Sequence, residues 1–275
     1  MKTSRTSITA CTRRHLLLFA LIAALSAASA SAQVVYSNNF ESNTNGFTAG
    51  GSLSTLGRTS LPTDSGGLSS ANQSSWLGRV GEGVNKSPSA VETLTLSLSG
   101  LTPGQVYAIA FDLFIGASWD GSAGFYGPDS WRLTIGGTML VNTTFSNVQS
   151  GVNAGAYSPQ RYSDSTYTST TGADFNRFTG ADQSFSVNQN ANYAPDYAIY
   201  YFGHGSGNPF LTFTASASTA VVEFARYGDT TDSGDEYWAL DNVEVRAVPE
   251  PSVVWLCGAG VGLLFLLRRW QRKRA

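Results

Sequence analysis

Cysteine and histidine are almost absent from the long middle part of this 275-residue chain. The two cysteines, Cys11 and Cys257, lie near the two ends, so the residues between them can form no disulfide, thiolate catalyst or cysteine-based zinc site. His204 is the one histidine in residues 33–247, which excludes a multi-histidine metal site and restricts any Ser-His-Asp triad to this residue. No Gly-x-Ser-x-Gly motif provides a serine nucleophile. These absences predict a protein that is not an enzyme.

Charged residues are also scarce, at 13% of the chain, whereas 42% of residues are hydrophobic and 12% are aromatic, too many for a disordered protein. Residues 33–248 hold 8 of the 17 Lys and Arg residues and 18 of the 19 Asp and Glu residues, which gives this segment a net charge of −10. An acidic segment of this kind repels nucleic acid and anionic lipid and attracts cations such as calcium. Nucleic acid is therefore excluded as a partner.

Period-two alternation of apolar and polar residues is the main structural pattern of residues 33–247. Residues 91–98 alternate in this way, and residues 106–115 are apolar on both faces, which predicts a central strand. The Gly-Gly pair at positions 136–137 separates two further runs, as in a β-hairpin. No stretch here has capped helical periodicity. We therefore predict an all-β fold, an antiparallel and jelly-roll-like β-sandwich, with residues 148–194 as a long surface loop.

Residues 1–32 have the parts of a signal peptide. A basic start precedes an apolar core at residues 16–24, which would form the signal helix, and small residues next to the junction predict cleavage between Ala32 and Gln33. The pair at positions 13–14, two arginines, leaves both the general secretory route and the twin-arginine route open. Signal peptidase and an export machinery are the partners expected on either route.

The C-terminal segment, residues 248–275, combines a Pro-Glu-Pro motif, an uncharged run at residues 252–267 and a basic tail at residues 268–275. The motif consists of Pro249, Glu250 and Pro251. At ~1.5 Å per residue the uncharged run is ~24 Å long, which is enough for one short transmembrane helix whose basic tail stays in the cytoplasm. This arrangement resembles the PEP-CTERM sorting signal of bacterial envelope proteins. The resemblance implies recognition by an exosortase, a transient anchor in the membrane, and delivery to the cell surface or the extracellular matrix.

Several acidic residues lie in loop-like stretches between the predicted strands and are candidate ligands of calcium. Calcium takes six to eight oxygen ligands from carboxylates, amides and carbonyls, which such stretches supply. The candidates in these stretches are Asp120, Asp129, Asp235, Glu236 and Asp241. The alternative interpretation is that Asp, Ser and Gly residues here only cap turns. By alternation Asp241 shares a face with Val243 and Val245, so we expect it to point toward the core, where a carboxylate needs a partner or a metal.

Residues 76–246 also resemble an uncharacterised secreted β-sandwich module that occurs in PEP-CTERM proteins. The motifs that carry this resemblance include Ser118-Trp119-Asp120-Gly121, Gly127-Pro128-Asp129 and the run from Asp235 to Val243. The start at Asn39-Phe40-Glu41 and the end at Leu240-Asp241-Asn242-Val243 are similar to calcium-bearing carbohydrate-binding jelly rolls. That similarity implies that Glu41 and Asp241 meet at a structural calcium ion.

The tryptophans are candidate platforms for sugar stacking. Trp119 lies among small and polar residues, and Trp119 and Trp76 are the two predicted stacking residues, whereas Trp131 and Trp238 begin strands and are expected in the core. His204 is expected to be a turn residue. The sequence thus predicts an exported, non-catalytic protein that associates with glycan or matrix, including exopolysaccharide. A glycan-cleaving enzyme of jelly-roll type and a purely structural matrix protein remain the alternatives.

Overall fold

The computed structural model describes residues 32–51, 56–60, 74–80, 91–117, 119–122, 128–147, 159–186, 196–204, 210–227, 236–249 and 271. The chain divides into two compact units, Gln33–Ala247 on the one hand and Met1–Ala32 with Val248–Ala275 on the other. The predicted signal helix, Glu250, Pro251 and the predicted transmembrane run lie outside the described residues. Within the described ranges, no helix has the length and apolar character needed to cross a bilayer.

The described residues of the larger unit form thirteen β-strands. Their bounds are β1 Val34–Asn38, β2 Phe47–Gly51, β3 Arg58–Ser60, β4 Ser75–Val80, β5 Val91–Ser99, β6 Val106–Ala117, β7 Ser130–Ile135, β8 Thr138–Thr144, β9 Gln183–Ser186, β10 Asp196–Phe202, β11 Leu211–Thr214, β12 Thr219–Tyr227 and β13 Glu236–Ala247. Alternating apolar residues and β-branched side chains favour the extended backbone in these segments, and Gly, Asn and Ser residues interrupt them.

Two antiparallel sheets contain these strands. The eight-stranded sheet has the order β3-β4-β13-β6-β10-β9, with β1 paired to β13 and β11 paired to β6, and the five-stranded sheet has the order β2-β5-β12-β7-β8. Strand β6 therefore lies between β13 on one edge and β10 and β11 on the other. This confirms the all-β antiparallel prediction and the central position expected for residues 106–115. The jelly-roll-like connectivity stays a prediction.

Aromatic side chains from both sheets form the core between them. Phe111 of β6 lies 5.3 Å from Phe224 of β12 and 5.7 Å from Trp131 of β7, measured between ring centroids. Trp131 in turn lies 6.0 Å from Trp238 of β13. All four side chains are fully buried, which contributes ~1.5–3 kcal/mol per large apolar side chain. The core positions predicted for Trp131 and Trp238 are confirmed.

A second hydrophobic cluster occupies the opposite, outer face of the eight-stranded sheet. It comprises Trp76, Phe114, Tyr197, Ile199, Tyr237 and Ala239, with Tyr201 packed against it. The rings of Trp76 and Phe114 meet edge to face at 5.8 Å. Side chains of β6 pack into the core on one face of the sheet and into this cluster on the other. This explains why the sequence of β6 is apolar on both faces.

The hairpin at positions 136–137 is confirmed, since the two glycines have positive φ values of 56° and 82° between β7 and β8. The prediction of a surface loop for residues 148–194 fails in two places within the part that the structure describes, residues 159–186, although residues 159–182 contain no named strand. Tyr162 is fully buried, with its ring 4.9 Å from Phe145 and 5.1 Å from Tyr200, and β9 extends the eight-stranded sheet. The prediction relied on the low content of aliphatic residues and did not weigh one large aromatic ring.

A β-bulge in β13 determines which side chains reach the outer face. Asp241 pairs with Asp112 of β6, but the next pair is Glu244 with Ala110, so β13 has one extra residue here. Asn242 has a φ of 50° at this point. The bulge reverses the alternation, so that Asp241 lies on the face opposite Val243. The prediction that Asp241 points toward the core between the sheets was therefore wrong, because one inserted residue changes the face of every side chain beyond it. The burial expected for Asp241 is confirmed, since the residue is 1% exposed.

Candidate functional site

The bulge in β13 borders an open cleft of about 460 Å³ on the outer face of the eight-stranded sheet. The residues that line the cleft are Ser37, Asn38, Asn39, Asp112, Tyr201, His204, Asn242 and Glu244. Strand pairing brings them together, since Ser37 pairs with Glu244 and Tyr201 pairs with Asp112. The cleft therefore presents hydroxyl, carboxamide, carboxylate and imidazole groups around one partly buried aromatic ring.

Asp112, Asn242 and His204 form a connected polar group in the cleft. The side-chain amide of Asn242 donates a hydrogen bond of 2.7 Å to Asp112 Oδ2. His204 Nε2 lies 3.1 Å from the carbonyl oxygen of Asn242 and 3.9 Å from Asp112 Oδ1. The positive φ of Asn242 orients both its carbonyl and its side chain toward these two residues.

Burial raises the pKa of Asp112 to about 6. The hydrogen bond from Asn242 acts in the opposite direction because it stabilises the charged form, and the charge of Asp182 adds a smaller increase. A carboxyl group with this pKa changes its protonation state just below neutral pH. The structure thus places a titrating acid at the base of the cleft, next to the imidazole of His204.

Asp241 and Glu41 are the two residues that the resemblance implied as partners at a calcium ion. They lie near each other, and both accept hydrogen bonds from protein groups. Asp241 Oδ2 accepts a hydrogen bond of 2.7 Å from Ser74 Oγ, and its Oδ1 accepts one of 2.7 Å from the backbone of Asn242. Glu41 is exposed, and its Oε1 accepts a hydrogen bond of 2.9 Å from the backbone nitrogen of Ser75. Each carboxylate thus accepts hydrogen bonds from neighbouring residues, and a calcium ion between the two stays a prediction.

The pKa of Asp241 is raised to about 7, mainly because burial removes water from its charged form. The hydrogen bonds from Ser74 and from the backbone of Asn242 oppose this increase, and the charges of Asp112 and Glu41 contribute to it. The effect of Glu41 shows that the predicted pair is close enough to interact. Among the described residues, however, Glu41 and Asp241 do not belong to a set of three grouped metal-binding side chains.

Asp120, Asp129 and Glu236 form such a set, which we call the carboxylate cluster. One oxygen atom from each of the three side chains lies within 4.8 Å of the other two. Asp120 follows β6, Asp129 precedes β7 and Glu236 begins β13, so three separate segments contribute. Three of the six predicted calcium ligands therefore come together here, Glu41 and Asp241 lie elsewhere, and Asp235 is outside the described residues.

Asp129 is fully buried within the carboxylate cluster. Its Oδ2 accepts a hydrogen bond from the backbone nitrogen of Asp120, whereas its Oδ1 has no hydrogen-bond partner. Burial raises the pKa of Asp129 well above its usual range, and the charge of Glu236 raises it further. The hydrogen bond from Asp120 and the positive charge of Arg226 act in the opposite direction.

Arg226 of β12 supplies positive charge next to the carboxylate cluster. The sequence analysis did not identify this residue. Its Nη1 lies 2.7 Å from Glu236 Oε2, and its Nε lies 3.3 Å from Glu92 Oε2. The guanidinium carbon is 5.6 Å from the centre of the Trp119 ring, which is a cation–π distance. The sequence did contain a signal for this residue, because it is an arginine among apolar and small residues in a strand whose pattern predicts burial. A buried arginine requires acidic partners.

The structure contradicts the stacking role predicted for Trp119 and Trp76. Both indole rings have no exposed surface, so neither face is open to a sugar. Trp119 Nε1 donates a hydrogen bond of 3.1 Å to the carbonyl oxygen of Tyr237, and Trp76 belongs to the outer hydrophobic cluster. Small and polar neighbours in sequence indicated a loop but gave no information about the strands that cover Trp119.

Sequence reasoning also missed Asp112 and Tyr201 as cleft residues and interpreted His204 only as a turn residue. His204 does occupy a turn between β10 and β11, but its imidazole faces the cleft. Asp112 is the one charged residue among the apolar side chains of β6. That isolated carboxylate was the signal that could have identified the cleft.

No protein-family model matches the chain, and no curated protein matches its sequence. One similar solved structure is the CBM22-1 xylan-binding domain of Paenibacillus barcinonensis Xyn10C, with 15% identity, a TM-score of 0.30, and coverage of 81% of this chain and 99% of that one. Another is a lectin from Bauhinia forficata in complex with GalNAc, with 11% identity, a TM-score of 0.37, and coverage of 79% and 99%. Both TM-scores are below 0.5, which is too low to carry a conclusion about fold or function.

Proposed function

We propose that this chain is an exported envelope or matrix protein whose jelly-roll-like β-sandwich associates with glycan without cleaving it. The observation that carries the glycan part of the proposal is the polar cleft at the β-bulge of β13. The signal-peptide features of residues 1–32 and the PEP-CTERM resemblance of residues 248–275 support the export and sorting parts.

The chemistry of the cleft suits a ligand with many hydroxyl groups. Asn39 and Ser37 have side chains that both donate and accept hydrogen bonds, and His204 and Asp112 add a second set of polar groups to the cleft. Tyr201 is partly buried and supplies an aromatic surface. A sugar presents hydroxyl groups around an apolar ring, so this combination of groups fits it better than an apolar or polyanionic ligand.

The charge of the cleft narrows the class of glycan. Asp112 and Glu244 line it, and the surrounding segment, residues 33–248, has a net charge of −10. Polysaccharides rich in uronic acid or sulfate would be repelled at neutral pH. We therefore expect neutral or amino sugars to bind in preference to acidic ones.

A glycan array probed with the full-length protein tests this proposal. We expect retention on neutral or amino-sugar glycans, and the variant Asn39→Ala should weaken binding about three- to tenfold through loss of a hydrogen bond. Asn176→Ala is the matched control, because Asn176 is also exposed but is not among the residues of the cleft. Binding that is equal in the wild type and in Asn39→Ala would contradict the assignment of the cleft, and retention on no glycan would favour a purely structural role.

Glycan cleavage is the second candidate function, and the raised pKa of Asp112, about 6, favours it. A carboxyl group that stays protonated close to neutral pH can act as a general acid. Incubation of the protein with glycans that it binds, followed by measurement of reducing ends and unsaturated products, distinguishes the two functions. Products that disappear with Asp112→Asn would establish cleavage, whereas binding without products supports the proposed non-catalytic role.

Sorting is tested in cells rather than on the purified protein. Replacement of Pro249, Glu250 and Pro251 by alanine should leave the full-length protein in the cytoplasmic membrane fraction, because the recognition motif is lost while the apolar run remains. Fractionation followed by immunoblotting gives the result. An unchanged distribution between membrane and surface fractions would contradict sorting through this motif.

A further inference from the structure

We propose that Asp120, Asp129 and Glu236 of the carboxylate cluster bind one divalent cation of the calcium class. This site is separate from the cleft and has no role in glycan contact. Its donors are all carboxylate oxygens, which are hard ligands that calcium and magnesium prefer to softer metals. It is also separate from the Glu41–Asp241 pair, where protein donors bind the carboxylates.

The distances within the carboxylate cluster are compatible with calcium. One oxygen atom from each side chain lies within 4.8 Å of the other two. Two oxygens bound to one calcium ion at ~2.4 Å can be at most ~4.8 Å apart, whereas magnesium, with bonds of ~2.1 Å, requires a tighter set. The three side chains can therefore bind calcium without a large rearrangement.

Asp129 gives the independent indication of a ligand. Its side chain is fully buried, and only Oδ2 receives a hydrogen bond, from the backbone nitrogen of Asp120. Oδ1 has no hydrogen-bond partner, although a buried carboxylate oxygen without a donor is strongly unfavourable. A cation next to Oδ1 supplies the missing partner.

The charges around the carboxylate cluster point in the same direction. Among the described residues, four carboxylates lie in or next to the cluster, those of Asp120, Asp129, Glu236 and Glu92, and the guanidinium of Arg226 is paired with part of this charge. Arg226 contacts two of them directly, at Glu92 and Glu236. A doubly charged ion would bring this group much closer to electrical balance.

The position of the proposed ion gives it a structural role. Asp120 lies three residues after the end of β6, Glu236 begins β13 of the same eight-stranded sheet, and Asp129 directly precedes β7 of the five-stranded sheet. The ion would therefore connect the two sheets at one end of the sandwich. Asp120 is only partly buried, which leaves a path for the ion and for the waters that complete its coordination.

Calorimetric titration of the full-length protein with calcium, after treatment with EDTA and dialysis, tests the proposal. We expect one ion per chain and a rise in Tm of roughly 5–10 °C at a calcium concentration a hundredfold above Kd. Asp129→Asn should weaken calcium binding at least ~tenfold because it removes a charged ligand. The matched control is Glu41→Gln, which removes a carboxylate outside the carboxylate cluster and should bind calcium as the wild type does.

Two further measurements keep the test decisive if Asp129→Asn does not fold. Asp120→Asn changes a partly buried ligand and should also weaken binding at least ~tenfold. In the wild type, Trp119 adjoins Asp120 in the chain and should transfer excitation to bound terbium, whose emission calcium then removes. The proposal is overturned if the wild type neither binds calcium nor gives terbium emission that calcium removes, if Asp120→Asn binds calcium as tightly as the wild type, or if Glu41→Gln abolishes binding.

Discussion

The cleft and the carboxylate cluster are both acidic, but the surrounding protein stabilises their carboxylates in different ways. Next to the cleft, Asp241 accepts hydrogen bonds at both oxygens, from Ser74 and from the backbone of Asn242. In the carboxylate cluster, Asp129 is more deeply enclosed and one of its oxygens has no hydrogen-bond partner. The number of acidic residues therefore does not distinguish a metal site from a polar surface; the distribution of hydrogen-bond donors does.

The same comparison explains the different pKa values. Burial raises the pKa of Asp112 to about 6 and that of Asp241 to about 7, and hydrogen bonds from neighbouring groups limit both increases. Complete burial and the charge of Glu236 raise the pKa of Asp129 well above its usual range. A bound cation would lower the pKa of Asp129, whereas it is not needed to hold Asp112 or Asp241 in place.

The largest expected change in stability follows substitution of Arg226, whose positive charge balances part of the negative charge next to the carboxylate cluster. Arg226→Met should lower the free energy of unfolding by about 3–5 kcal/mol, because Glu92 and Glu236 lose a buried partner. Arg246→Met is the matched control, since Arg246 and Glu244 form a more exposed pair at 3.5 Å, and its loss should cost at most about 1 kcal/mol. Urea denaturation measures both variants, and equal effects would contradict the distinction.

The next largest change in stability is expected from substitution of Gly121, in the turn next to Asp120. Gly121 has a φ of 66°, and a Cβ there would lie 2.2 Å from the carbonyl oxygen of Pro159. Gly121→Ala should therefore lower the free energy of unfolding by about 2–4 kcal/mol, and it should also weaken calcium binding. Gly136→Ala is the control, because Gly136 also has a positive φ, of 56°, but a Cβ there would have no atom within 4 Å. It should lower the free energy of unfolding by about 1 kcal/mol, the cost of the backbone conformation alone. Thermal unfolding with and without calcium compares them, and equal losses would show that the close contact is unimportant.

A smaller effect is expected from the pH dependence associated with Asp241. Because its pKa is about 7 in the folded state and ~3.9 in an unfolded chain, the folded state holds a proton that the unfolded state has lost in this range. Stability should therefore fall as the pH rises from ~4 to ~7. The full difference between the two pKa values corresponds to ~4 kcal/mol, and screening by nearby solvent reduces the expected contribution of this residue to roughly 2–3 kcal/mol.

Denaturation of Asp241→Asn at several pH values in EDTA measures this contribution. The variant should remove that part of the pH dependence, so that it gains stability relative to the wild type between pH ~4 and pH ~8. Asp174→Asn, at an exposed carboxylate paired with Arg161, is the control for removal of a surface charge. A parallel profile for wild type and Asp241→Asn would contradict the raised pKa.

The smallest change in stability is expected for His204→Ala. The imidazole is partly exposed and, within the described part of the chain, its polar contacts are with Asn242 and Asp112, so the free energy of unfolding should change by less than about 0.5 kcal/mol. Glycan affinity should nevertheless fall about three- to tenfold, since a hydrogen-bonding group of the cleft is removed. Binding and unfolding are measured on the same preparation, and an unchanged affinity would show that the cleft is not the glycan site.

Local patterns allowed part of this architecture to be predicted. The apolar residues on both faces of β6 indicated a central strand, and the Gly-Gly pair at 136–137 indicated the hairpin. The single inserted residue at Asn242 could not be recognised in the same way, because the extended sequences on either side of it look regular. For that reason the face of Asp241 was predicted wrongly, and the cleft beside it was missed.

The carboxylate cluster could be predicted only in part, because local sequence does not show which acidic residues come together. The acidic residues themselves were identified, but Asp120, Asp129 and Glu236 are brought together by the pairing of β13 with β6 and by the packing of one sheet on the other. Those contacts join segments that are far apart in the chain. Asp129 is fully buried and one of its oxygens has no hydrogen-bond donor, and neither property is visible in local sequence.

A crystal structure of the protein grown with calcium and repeated with terbium for its anomalous signal tests the central claim most directly. We predict one difference peak bonded to Asp120, Asp129 and Glu236, with Asp129 Oδ1 at ~2.4 Å from the ion, and no peak in the cleft. A peak between Glu41 and Asp241, or no peak at the carboxylate cluster at saturating calcium, would contradict the account.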